Sequence, residues 1–207
     1  MVRLARLCAF TLLLACDGGA PPAADKQPGA DKPADKPADK PAREEAKDRS
    51  QTPLVTTRET VGGLAVSIDI PAGLKRDANE HDKYVNWTFT DGNPFMEPSI
   101  TIKFVEPMMA PKDLPAFVRS ATPKTQDNPP PVVVRQEELP GGGMIVVAER
   151  SDRLFFKVDA LHRNGDKLVR CTLLQRTGTG KPDDLPIPGY PATRAWAEKI
   201  CESVKIE

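Results

Sequence analysis

A chain of 207 residues has room for one domain plus additional segments. Its 29 basic and 29 acidic side chains cancel, which argues against electrostatic capture of nucleic acid or of an acidic membrane surface. Proline is high at 22 residues and aromatics are scarce at 5%; a proline-rich stretch near the N-terminus that dilutes the folded part explains both.

Arg3 and Arg6 precede a short apolar run, Leu7 to Ala15. A bilayer span needs about 20 apolar residues, so this run reads as the core of a cleaved export signal. Leu13-Leu14-Ala15-Cys16 then resembles the lipobox of bacterial lipoproteins: an aliphatic residue, a tolerant position, a small residue and a cysteine. The resemblance implies diacylglyceryl transfer to the Cys16 thiol, cleavage after Ala15 and acylation of the new amine. Residues 1–15 would be the signal peptide and Cys16 the anchor. Two or more acyl chains hold a protein stably where one is marginal. The alternative is an ordinary signal whose cysteine is incidental. Asp17 resembles the inner-membrane retention signal of enteric bacteria, a rule that differs between bacterial groups. The chain is therefore expected on a bacterial membrane, inner or outer, facing the periplasm or the cell exterior.

Residues 16–50 read as a tether. Ala30-Asp31-Lys32-Pro33 repeats as Ala34-Asp35-Lys36-Pro37 and Ala38-Asp39-Lys40-Pro41. With no large apolar residue from Gly18 onward, such a stretch buries nothing to offset ordering entropy and is expected to be disordered. Thirty residues at about 3.1 Å each reach at most roughly 90 Å, and a flexible coil averages nearer 30 Å. A plain spacer is the favoured reading over a proline-rich ligand or a cell-wall contact, because the repeat lacks aromatic or arginine anchors.

Residues 51–207 read as one domain. Leu64, Val66, Ile68 and Ile70 alternate with polar partners up to the turn Pro71-Ala72-Gly73. Val85, Trp87 and Phe89 make a second stripe, ended by Asp91-Gly92-Asn93-Pro94, and Ile100, Ile102 and Phe104 a third. Lys112 to Ala121 predicts a short helix, with Pro115 tolerable in its first turn. After a break at Asn128 to Pro131, four strands are expected: Val132 to Arg135, Met144 to Glu149, Leu154 to Leu161 and Lys167 to Gln175. Asn164-Gly165 suits a tight hairpin. Thr179 to Pro191 reads as a loop. Ala192 to Val204 reads as a helix with Trp196, Ile200 and Val204 on one face. The expected class is α+β: a largely antiparallel sheet of about seven strands, with a mid-chain helix and a C-terminal helix packed on it. The runner-up is a β-sandwich with the last helix as an appendage.

There are four cysteines. With Cys8 in the signal and Cys16 as anchor, Cys171 and Cys201 remain as an even pair. In an oxidising compartment they invite a disulfide that staples the last helix to a strand. Two buried thiols or a metal pair are the alternatives. Metal is disfavoured because the only histidines, His81 and His162, show no ligand spacing with the cysteines.

No nucleophile elbow, zinc motif, Walker loop or dinucleotide fingerprint is present, and no cofactor is expected. Gly178-Thr179-Gly180-Lys181 only faintly resembles a phosphate loop. His81 reads as part of a solvated turn and His162 as a strand-end surface residue. Asn86-Trp87-Thr88 matches a glycosylation sequon by chance. Pro94-Phe95-Met96 and Pro107-Met108-Met109 could be binding surface, with core filling the favoured reading.

From Leu64 onward, the strand ending in Pro71-Ala72-Gly73, the meander from Met144 to Gln175 and the closing helix around Ala195 to Ile200 loosely resemble the PsbP-like fold. That resemblance implies an accessory or binding module without catalysis and supplies no site residues. The leading functional expectation is a membrane-tethered, non-catalytic module with a protein partner in the cell envelope. The alternatives are an envelope hydrolase using Glu97 and Asp159 with His162, and a structural envelope protein.

Overall fold

The computed structural model describes residues 45–122, 129–178 and 181–207. The export signal with Cys8, the lipobox with Cys16, Asp17, the tether up to residue 44, Asn128, Thr179 and Gly180 lie outside them.

The described residues form ten strands and two α-helices. Strands β1 (Leu54–Val61) and β2 (Leu64–Pro71) make a hairpin joined by β10 (Lys205–Ile206), in the order β1-β2-β10. The larger sheet holds β3 (Lys75–Asn79), β4 (Tyr84–Thr88), β5 (Ser99–Phe104), β6 (Val132–Leu139), β7 (Gly143–Glu149), β8 (Phe155–Asn164) and β9 (Lys167–Arg176). Its order is β3-β4-β5-β9-β8-β7-β6, with every pairing antiparallel. Helix α1 (Leu114–Ala121) lies mid-chain and α2 (Tyr190–Glu202) near the C-terminus. The expected α+β class, with a mostly antiparallel sheet and two packed helices, is what forms.

Side-chain alternation decides what covers each sheet face. One face carries Val85, Trp87, Ile100, Ile102, Val158, Ala160, Cys171 and Leu173 into the main core. There it meets Val66, Ile68 and Ile70 of β2 and Trp196, Ala197, Ile200 and Cys201 of α2. The other face sends Met144, Val146, Leu161 and Leu168 against Phe117 and Ala121 of α1. Asp113 caps α1 by accepting from the Ala116 amide at 2.8 Å.

Three strands escape the sequence reading. β1 is an edge strand whose inward side includes Thr57 and Glu59, so its stripe is half polar. β3 is exposed along nearly its whole length and owes its conformation to pairing with β4. β10 has two residues and forms only on β2. The expected Asn-Gly turn shifts by one residue: Asn164 pairs with Lys167, so Gly165-Asp166 is the loop.

Phe95, Met108 and Met109 are 88%, 91% and 76% exposed, which overturns core filling. Each sits in a connection beyond a strand end, where no sheet face is left to cover it. The tether boundary also moves. Residues 47–49, assigned to the spacer, bond to the domain, because a buried Arg49 finds carboxylate partners there.

Cys171 of β9 and Cys201 of α2 are disulfide-bonded, with a Cα–Cα distance of 5.4 Å, and both are fully buried. The bond closes a loop across a separation of 30 residues. Paired Cys171→Ala and Cys201→Ala substitutions should therefore lower unfolding free energy by about 3–4 kcal/mol in urea melts, the chain-entropy value for such a loop. A loss below about 1 kcal/mol would mean that core packing alone holds α2 on the sheet.

Candidate functional site

Two features at opposite ends of β5 stand out. At its C-terminal end, a groove of about 920 Å³ opens between the β1–β2 hairpin and the β3–β4 turn. Gly62, at the hairpin tip, has φ +58 and sits so close to Phe104 that a Cβ would come within 2.6 Å of that side chain. Only glycine meets both conditions, and it sets the hairpin over the end of β5. The groove is polar. Arg76 makes a two-pronged bond to Glu59 at 2.8 and 2.9 Å, joining β3 to β1. Arg58 pairs with Glu207 at 3.4 Å and Lys83 with Glu106 at 2.5 Å. The cations Arg58, Arg76 and Lys83 are thus all matched by carboxylates, so the groove presents balanced charge rather than an anion trap. Among the described residues, β1 and β3 each pair on one side only, and both strands line the groove.

At the other end of β5, residues 47–52 form a strap. The Lys47 amide donates to Glu97 at 3.1 Å and its ammonium to Asp91 at 2.9 Å. The Arg49 Nε–H donates to Glu97 at 2.7 Å, and its outer nitrogens donate to the Asp91 carboxylate and backbone carbonyl. The guanidinium carbon lies 3.9 Å from the Phe89 ring centroid. Burial works against the Arg49 charge, but the bonds to Glu97 and Asp91 outweigh it and hold the group above its ordinary value. Hydrogen bonds from Arg49 and then Lys47 pull the exposed Asp91 down to about 2. The Trp196 indole N–H donates to the Thr52 carbonyl at 3.2 Å. The Asp48 carboxylate sits over Gly189, the cap of α2, 2.4 Å from where a Cβ would stand, and Gly189 has φ +58. A carboxylate is favourable at a helix start.

The residues named for a hydrolase have separate engagements. Glu97 is held by Arg49 and the Lys47 amide. Asp159, fully buried on β8, accepts two bonds from Arg170 at 2.7 and 2.9 Å and one from Thr172 at 2.6 Å, and pairs with Lys157 at 2.5 Å. Lys157 also donates to the Ala121 carbonyl, and Arg170 lies over the Phe117 ring, so this cluster fastens α1 to the sheet. His162 is half-buried rather than a surface residue, 2.7 Å from the Cys201 carbonyl at the end of α2. Burial lowers its pKa below the ordinary value, more than the bond to Cys201 raises it. A neutral ring therefore donates from Nε2 to a carbonyl the helix leaves unpaired. His81 is exposed, as expected. Burial, followed by the bond to Glu149 at 2.8 Å, raises the Tyr190 hydroxyl above its ordinary range, and Arg194 completes that cluster. Among the described residues, no group of three metal-binding side chains converges. The strap carries no apolar pattern; its one signal in the sequence is the basic pair Lys47 and Arg49 shortly before β1.

No family model matches the chain, and no curated protein matches it. Among solved structures, the Ran-binding protein Mog1p of Saccharomyces cerevisiae is similar at a TM-score of 0.47 and 11% identity, covering 74% of this chain and 96% of that one. That likeness is too distant to bear on function.

The His162 environment predicts acid sensitivity. Its folded pKa lies below the unfolded value near 6.5, so the unfolded chain takes up the proton first. Its contribution is complete above about pH 6.5 and falls with decreasing pH by up to about 1.4 kcal/mol per unit. Urea melts from pH 7.5 to 5.0 should show His162→Gln losing less stability than the parent chain. Parallel curves would remove His162 as the cause.

Proposed function

We propose that this chain is a lipid-anchored, extracytoplasmic binding or accessory module whose partner surface is the groove beside β5. The anchor rests on sequence: Leu13-Leu14-Ala15-Cys16 after a short apolar run, then an Ala-Asp-Lys-Pro repeat suited to a spacer. No helix among the described residues is long and apolar enough to cross a membrane. The observation that carries the reading is the groove, about 920 Å³ and lined by cations that carboxylates match. The chain joins the fold through the strap at the start of β5, and the groove opens at the end of β5, six residues or about 20 Å away. Balanced charge and matched ion pairs suit recognition of a protein surface better than proton transfer.

Growth with an alkyne-bearing fatty acid followed by click detection tests the anchor. The parent chain should incorporate label and fractionate with membranes, and Cys16→Ser should lose the label and retain residues 1–15. Equal labelling of both chains would overturn the lipid anchor. Crosslinking in intact cells, then capture of residues 51–207, tests the module. One dominant partner whose recovery falls with Arg76→Glu supports the groove, and recovery unchanged by that substitution removes it.

A further inference from the structure

The strap occupies its place as a ligand occupies a site. Glu97 is buried, with a side chain 2% exposed, and it faces the guanidinium of Arg49, itself 8% exposed. Phe89 closes one face of that guanidinium, and Asp91 takes the remaining nitrogens. Main chain is read as well, through the Lys47 amide to Glu97 and the Thr52 carbonyl to the Trp196 indole. Charge, ring face and backbone bonds together recognise a short extended segment bearing arginine.

A second observation concerns what the strap leaves unfilled. Beside Ala46 lies a mainly apolar cleft of about 250 Å³, walled by Glu45, Met96, Thr177, Leu185, Pro186 and Pro188. Leu185 is 44% exposed although it belongs to this wall. The alanine methyl, three positions before Arg49, is too small to fill the space. A segment with leucine or methionine there would make every contact the strap makes and bury the cleft in addition.

We propose that the Phe89–Asp91–Glu97 socket with its adjoining cleft is a peptide-binding site. Its ligand is an extended partner segment with a large aliphatic residue three positions before an arginine, and residues 45–52 occupy the site in cis. Such a partner displaces the strap, and the strap sets the threshold it must overcome. A displaced strap without a replacement leaves Glu97 as a buried unpaired charge, so the site is held by one cationic segment or the other. The site lies at the end of β5 away from the groove and does not depend on the lipid anchor.

The test uses the full chain with Arg49→Gln, checked for a single cooperative melt and an intact Cys171–Cys201 bond. The probe is a fluorescent peptide copying residues 45–53 with leucine in place of Ala46. It should bind saturably, about tenfold tighter than the peptide that keeps alanine. Replacing its arginine by glutamine, or adding Glu97→Gln to the protein, should weaken binding at least about tenfold. The parent chain should bind the same peptide more weakly, with faster hydrogen exchange over residues 47–52 as the peptide is added. If Arg49→Gln does not fold, Ala46→Leu in the parent chain should slow exchange over the same residues. No saturable binding to a folded Arg49→Gln chain, binding indifferent to the peptide arginine or to Glu97, or unchanged exchange in Ala46→Leu would each overturn the proposal.

Discussion

The apolar face running across β4, β5, β9, β8 and β7 is the constraint on which the rest depends. Its residues, from Trp87 through Ile102, Leu173 and Val158 to Val147, are almost wholly withdrawn from solvent. No single element is wide enough to cover it. α2 takes the part over β8 and β9, and the β1–β2 hairpin reaches towards β5, with β2 lying against α2. The disulfide joins α2 to β9 at the centre of this face. Because the cover is shared, it has a margin, and the groove lies there, between the β1–β2 hairpin and the β3–β4 turn.

Electrostatics finishes what burial begins. The net charge is zero, and three ion-pair clusters sit at junctions between elements. Asp159 with Arg170 and Lys157 fixes α1 on the sheet. Glu149 with Arg194 and Tyr190 fixes the start of α2 against β7. Glu97 with Arg49 fixes the N-terminal strap beside β5. At Asp159 and Glu97, removing the cation would leave a charge almost wholly withdrawn from water, a larger loss than the net gain of making the pair. Such junctions specify which surfaces meet more than they add to stability. The strap junction differs from the other two because its cationic partner comes from outside the sheets and helices, on a segment that can leave without unpairing a strand.

Much of the architecture was legible in the chain. Seven strands announced themselves because a face buried against a core demands alternating apolar side chains, as in Val66-Ser67-Ile68 or Ile100-Thr101-Ile102. The last helix was legible because Trp196, Ile200 and Val204 recur at helical spacing. The pairing of Cys171 with Cys201 was legible as the favoured reading of the two cysteines left in the folded part, over two thiols or a metal pair. Each signal is local, written within a few residues or by simple parity.

What tertiary structure alone decided is non-local. β1, β3 and β10 carry little apolar periodicity, because an edge strand is set by the partner it pairs with. His162 looked like a surface residue until the end of α2 came to lie over it. Glu97 and Asp159 looked like free acids until Arg49 and Arg170, 48 and 11 positions away, supplied their counter-charges. Periodicity reports which way a side chain points, and the sequence by itself determined that much, along with the elements and the fold class. It does not report what a side chain meets there. The strap, the groove and the fate of each buried charge waited on the packing of distant segments.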